Sequence, residues 1–286
     1  MEEFFAGTAR SEAEDMPGGR LEEDRMPGHW LLARLGKRVL RPGGIELTSQ
    51  MLGALDIGSA DSVVEFAPGL GTTARLTLER SPYSYTGVER DEGAAGVVRD
   101  SLRGPGRRCV VGSAEATGLE GGRASVVYGE AMLTMQRETH KRRIVGEAFR
   151  LLASGGRYGI HELCLVPDEL QESVKEEIRA ALSQTVRVGA RPLTAPEWCA
   201  LLESEGFEMV EQRTAPMRLL EPGRFLRDEG LIGTVRFLRN VARDGEARRR
   251  VLAMRRVFRR YREHLTAIAL VGVKPSEPVR DDARDH

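Results

Sequence analysis

The chain is poor in cysteine, lysine and aromatic residues. Three cysteines, Cys109, Cys164 and Cys199, stand far apart among 286 residues, with no Cys-x-x-Cys pair. That spacing excludes a disulfide framework and a cysteine zinc site, gives no reason to expect a metal, and fits a reducing cytoplasm. Only Lys37, Lys141, Lys175 and Lys274 are lysine; the other basic residues are arginine, a bias we read as compositional rather than as a phosphate-binding signal. No apolar run approaches the ~20 residues of a membrane span. Formal net charge is zero, so no long-range field favours nucleic acid or an anionic membrane as partner. The acidic start, with Glu2, Glu3, Glu12, Glu14 and Asp15, lacks the basic residues and apolar run of a secretory signal.

What the chain does have is alternation. Short apolar runs at 63–66, 83–88, 108–111, 125–128, 157–163, 207–212 and 266–273 read as strands. Helix-like segments lie between most of them, at 72–80, 91–102, 138–152, 169–183 and 195–205. Ser154-Gly155-Gly156 is expected to break the third of these from the strand that follows. Strands alternating with helices imply an α/β fold with a mostly parallel sheet covered on both faces. About 50 residues separate the last two strands, far more than a hairpin needs, and they read as helices at 231–241 and 246–264. On the second, Val251, Met254, Phe258, Tyr261 and Leu265 recur at helical spacing, and arginines such as Arg248, Arg255 and Arg259 fill the rest. A solvated face on an amphipathic helix accounts for that pattern; an anion- or partner-binding face is the sharper alternative. The expected organisation is one domain over 28–274, with a helical cap at 28–60 and a helical insertion at 215–264. Residues 1–27 and 275–286 are polar or charged and read as mobile ends.

The most informative stretch is 63–74, Val-Val-Glu-Phe-Ala-Pro-Gly-Leu-Gly-Thr-Thr-Ala. A strand runs into a helix through a glycine turn, which lets backbone N–H groups approach a ligand closely. Gly69 and Gly71 with Ala74 fit the dinucleotide pattern G-x-G-x-x-A, and Glu89 ends the next strand where it could bond a ribose diol. That much is shared by nicotinamide dinucleotides and S-adenosylmethionine. Glu65 distinguishes them: a carboxylate there repels a pyrophosphate and attracts an ammonium or sulfonium.

The order acidic-x-x-x-Gly-x-Gly, followed by an acid at the end of the second strand, resembles motifs I and II of class I S-adenosylmethionine-dependent methyltransferases. The resemblance spans about 63–163. It implies a Rossmann-like seven-stranded sheet with helices on both faces, and methyl transfer from S-adenosylmethionine to a small molecule by in-line displacement. In family terms Glu65 is the motif I carboxylate, Ala67, Gly69 and Gly71 form the close-approach turn, and Glu89 with Arg90 follows strand two on the ribose. Ser113, Ala114 and Glu115 resemble the loop that borders adenine, and Glu130 follows strand four, within reach of the amino end of the cofactor or the acceptor. Ala67 stands where the family commonly has Gly. It fits only with a negative φ, so the turn is expected to differ there. Ser113 stands where an Asp often bonds the adenine.

The acceptor side is less legible. Met132 and Met135 suit an adaptable apolar pocket. His161 and Glu162 end the fifth strand, pointing to opposite faces; either is a candidate catalytic base, and one of them is expected to face the pocket. Segment 29–40 offers Trp30, Lys37 and Arg38 for a lid. There is no Asp/Asn-Pro-Pro-Tyr run, no Pro-Cys pair and no RNA-binding module, which leaves a small molecule as the partner, with a thiol or sulfide, a phenol and an activated carbon all open. An NAD(P)-dependent oxidoreductase is the competing enzyme, although no Tyr-x-x-x-Lys occurs; a non-catalytic S-adenosylmethionine-binding protein is the other alternative. Oligomeric state is not readable from the sequence.

Overall fold

The computed structural model describes residues 26–276. The ends expected to be mobile therefore lie almost wholly outside the described residues. Helix α1 (Gly28–Arg34) and α2 (Gly44–Ala54) precede β1 (Ser62–Phe66), α3 (Thr72–Leu78), β2 (Ser84–Glu89), α4 (Glu92–Ser101) and β3 (Arg107–Val111). Then come β4 (Ala124–Glu130), α5 (Glu138–Leu151), β5 (Leu152–Leu165), α6 (Glu172–Val186), the two-residue β6 (Leu193–Thr194) and α7 (Ala195–Ser204). The chain closes with β7 (Glu208–Pro216), α8 (Pro222–Arg243), α9 (Gly245–Arg260) and β8 (Leu265–Val273).

The sheet runs β3-β2-β1-β4-β5-β8-β7, with β6 pairing to β5. Strands β1 to β5 pair in parallel, and β8 is antiparallel to both β5 and β7. The fold is thus Rossmann-like and mostly parallel, with one short strand more than the seven expected. Period-two alternation sorts β1 between the two layers. Val64 and Phe66 pack with Ile144, Val145, Trp198 and Leu202 of α5 and α7, while Val63 packs with Leu47, Met51 and Ala74 of α2 and α3. The break expected at Ser154-Gly155-Gly156 is absorbed within β5. Its pairing to β4 jumps from Ala124↔Leu152 to Val126↔Arg157, so residues 153–156 bulge out while the strand continues.

The strand-rich half of the chain follows its hydrophobic pattern closely. The helical cap expected over 28–60 consists of two helices before β1, α1 ending at Arg34 and α2 at Ala54. Helices α1, α8 and α9 share an apolar cluster that includes Leu31, Leu35, Phe225, Phe237, Val251 and Met254. They form one layer across the carboxyl end of the sheet. A buried charge cluster ties that layer down. Lys37 Nζ lies 3.7 Å from Asp228 and 3.5 Å from Glu229, and Glu229 Oε1 accepts from the backbone N–H groups of Arg38 and Val39, each at 2.9 Å. Arg224 bonds the Gly43 carbonyl and Glu46. Immediately after this cluster Gly230 leaves the helical conformation, with φ 69° and ψ 178°, and kinks α8.

Candidate functional site

At the carboxyl ends of the parallel strands lies a cavity of about 1090 Å³. It is where open α/β sheets place their ligands. It extends across the sheet from the loop after β3 to the β5 and β7 side, and its two ends differ in chemistry.

The polar end is built by β1, β2 and β3. After Phe66 the chain turns through Ala67, Gly69 and Gly71, all three left-handed, with φ of 52°, 57° and 71°. A Cβ on Gly69 would meet nothing nearer than 4.0 Å, so that glycine is needed for its φ and not for space. The expectation of a negative φ at Ala67 is incorrect. Its N–H continues the strand ladder to the Val88 carbonyl at 2.9 Å, and Gly71 N–H closes the turn on Pro68 at 2.9 Å. Those two bonds hold Ala67 in a conformation that costs an L-residue roughly 1–2 kcal/mol. Glu89 spans the same turn. Its Oε2 accepts from Gly69 N–H at 3.0 Å, and its Oε1 from Arg90 and Asp91 N–H at 2.8 and 3.0 Å. Ser113, Ala114 and Glu115 border the cavity beyond β3. The Ser113 hydroxyl accepts from Glu115 N–H at 3.2 Å, and the Glu115 carboxylate holds His140 at 2.7 Å.

Glu65 lines the cavity but is otherwise buried. Tyr85 and Tyr128 both donate to its Oε2, at 2.5 and 2.7 Å. Burial raises its pKa to about 7, against the lowering effect of the two tyrosines. Near neutral pH this carboxyl is therefore poised between its two states.

Beside it, Glu130 is the centre of a buried knot. Its carboxylate takes bonds from Arg41, Thr73, Thr48 (2.6 Å) and His161 Nδ1 (2.8 Å). Burial alone would raise the Glu130 carboxyl; the Arg41 charge and the bond from His161 outweigh it and hold the group well below the usual carboxylate range. Arg41 was not foreseen. It lines the cavity, and its Nε is buried with no hydrogen-bond partner among the described residues. An orphaned buried donor on a charged side chain is costly unless a ligand satisfies it.

The expectation that His161 or Glu162 faces the pocket is not met, because neither lines the cavity and both are fully enclosed. The ring of His161 is clamped between Glu130 and the Pro42 carbonyl, which takes Nε2 at 2.5 Å. Glu162 accepts from the N–H groups of Met132, Leu133 and Thr134 at 3.0, 2.8 and 3.0 Å, and from the Thr134 hydroxyl at 2.7 Å. It fixes the turn after β4. Of the lid residues expected in the first segment, Trp30 and Arg38 line the cavity and Lys37 does not.

The other end of the cavity is apolar. Leu163, Leu182, Val186, Met217, Met254 and Phe258 wall it, and Met132, Met135 and Trp30 also line the cavity. The titratable group on this side is His29 of α1, which sits against the Trp30 ring at 4.8 Å. Enclosure without a charged neighbour lowers its pKa to about 4, so the imidazole is neutral at pH 7. In sequence His29 is one polar residue in an apolar segment, and nothing marks it as facing a cavity.

Sheet order, glycine turn and acidic second strand define the class I S-adenosylmethionine-dependent methyltransferases. Comparison with known proteins agrees. The family described as "Methyltransferase domain" matches residues 64–160. An uncharacterized protein of Haemophilus influenzae is 32% identical over 251 residues, covering 86% of this chain and 98% of that one. Among solved structures, the [4+2]-cyclase SpnF is similar at 15% identity and TM-score 0.67, over 86% of this chain and 93% of its own. The Haemonchus contortus phosphoethanolamine N-methyltransferase 2, in complex with S-adenosyl-L-methionine, is similar at 14% identity and TM-score 0.63, over 87% of this chain and 57% of its own. The chain belongs to one family with the Haemophilus protein and carries a methyltransferase domain on the class I fold.

The turn geometry yields one stability prediction. Ala67→Gly relieves the left-handed strain and gives back roughly 0.4–1 kcal/mol through the freer unfolded chain. A net stabilisation of up to about 1 kcal/mol is expected in urea unfolding. A loss of stability would show that Ala67 is not left-handed in solution.

Proposed function

We propose that the enzyme methylates a small, largely apolar acceptor carrying one ionisable hydroxyl or thiol. The observation that carries this reading is the division of one cavity into a charged end at β1–β3 and an apolar end at β5–β7. The charged end fits the donor group by group. Glu65 suits its ammonium, the orphaned Arg41 Nε its carboxylate, Glu89 its ribose diol, and the Gly112–Glu115 loop its adenine. An NAD(P) pyrophosphate would have to lie beside Glu65 and Glu130, which disfavours the oxidoreductase alternative.

When bound, S-adenosylmethionine supplies a methyl group on a sulfonium, ready for in-line displacement. The protein's task is then to position the acceptor and exclude water, worth ~7–11 kcal/mol in well-oriented cases. The apolar wall excludes water. Neutral His29 orients the acceptor by accepting a bond from its O–H or S–H. With a pKa near 4 it is a weak base, so it takes the proton as the methyl arrives rather than beforehand. His161 has no nitrogen free for that role, and Glu162 is committed to backbone.

Glu65 couples cofactor binding to pH. A cation beside it favours the ionised form, so binding releases a proton while pH is below about 7. Affinity for S-adenosylmethionine should rise as pH rises toward 7, by up to about tenfold per unit, and level off above. In calorimetry Glu65→Gln should flatten that rise; an unchanged slope would remove Glu65 from the ammonium site.

The apolar end can be probed with 2-naphthol in the presence of S-adenosylhomocysteine. Leu182→Asp should lower probe affinity roughly tenfold or more. His29→Ala should weaken it by a factor of about 5, without altering cofactor affinity. Probe binding indifferent to both substitutions would place the acceptor elsewhere.

A further inference from the structure

The neutral total charge conceals a separation. Residues 218–263, which contain α8 and α9, carry fourteen arginines against six acidic side chains. The remainder of the chain holds the compensating excess of acid. The same two helices carry most of the exposed apolar surface. Among the described residues, Leu226, Leu231, Ile232, Val235, Leu238 and Leu252 are six of the nine large hydrophobic residues that stand exposed, with Ile232 at 79%.

The arrangement is ordered. Beyond the Gly230 kink, Leu231, Val235 and Leu238 stand four and seven residues apart and share one helical face, with Ile232 beside them. Phe237 points the other way and packs on Phe225 at 4.4 Å. Arg236, Arg239 and Arg243 are exposed along one border of the stripe and have no acidic partner among the described residues. Apolar residues in water, bordered by free arginines on a helix already packed on its opposite side, are the pattern of a helix lying in a membrane interface.

We propose that α8 and α9 dock on an anionic phospholipid surface, with the apolar stripe among the acyl-chain ends of the headgroup layer and the arginines on lipid phosphates. Such docking is peripheral: no helix among the described residues is long and apolar enough to cross a membrane. Other occupants fit less well. A nucleic acid would answer the arginines and leave Leu231 and Ile232 facing polar backbone. A second copy placed symmetrically would set arginine against arginine. The proposal rests on the proposed function only for its consequence. Met254 and Phe258 of α9 wall the apolar end of the cavity, so docking would set that end beside a reservoir of apolar acceptors.

Co-sedimentation of the full chain, without cofactor or acceptor, tests this. Vesicles of phosphatidylcholine alone are compared with vesicles also containing phosphatidylglycerol. Binding to the anionic vesicles only, weakening as salt is raised, is expected. Leu231→Ser with Ile232→Ser should reduce it by roughly tenfold or more, and Arg236→Gln with Arg239→Gln should reduce it likewise. All four residues are exposed, so the thermal transition should stay in place. Four results would overturn the proposal: no binding to either vesicle; equal binding to both; variants that bind like the parent; or a dimer that the serine variant splits and that ignores vesicles. Vesicle binding by a chain that failed to bind S-adenosylmethionine would leave this inference standing and sink the functional reading.

Discussion

The bond on which most of the site depends is the buried pair of Arg41 and Glu130. Glu130 ends β4, Arg41 precedes α2, and the same carboxylate collects Thr48 of α2, Thr73 of α3 and His161 of β5. Four segments remote in sequence, residues 41–48, α3, β4 and β5, are thereby fixed at one point, at the edge of the cavity. A buried carboxylate survives there because every bond it needs is supplied. The arginine is less well served, and its orphaned Nε is the place where the protein's own bonding runs out and a ligand's would begin. Glu65, in the same pocket, makes no ion pair among the described residues and stays near its titration point. One acid locked ionised and one left poised make an environment suited to a molecule carrying both a positive and a negative charge.

The second constraint is the layer formed by α1, α8 and α9. It is held to the body by a compact set of charges around Lys37, Asp228 and Arg224, and its underside supplies the apolar end of the cavity. Its upper face is basic and apolar together. The structural neighbours include both a [4+2]-cyclase and a methyltransferase, so the sheet alone does not decide the chemistry. What is placed over the cavity does, and here that is a neutral imidazole among aliphatic and aromatic side chains.

The readable part of the chain was the contiguous part. A strand, a glycine turn and a helix follow one another in residues 63–74, and an acid one strand later completes a local pattern. Tertiary contacts hardly alter it. At Ala67 local sterics argue for a negative φ, whereas a backbone bond to Val88 of β2 and the closure of the turn by Gly71 on Pro68 enforce the opposite. Strand alternation correctly put His161 and Glu162 on opposite faces, yet it says nothing of what covers each face. The Pro42 carbonyl covers one, and the turn after β4 covers the other. Arg41 and His29 were missed for the same reason: their meaning depends on a helix layer whose position comes from packing against residues some 200 positions away.

We read the charges of this pocket as matched to a zwitterion bearing a sulfonium rather than to a pyrophosphate. Calorimetric titration of the full-length protein with S-adenosylmethionine, and separately with NADH, tests it most directly. Saturable one-to-one binding of S-adenosylmethionine that Arg41→Met weakens, with no heat from NADH, is expected. Binding of NADH in preference to S-adenosylmethionine would contradict it.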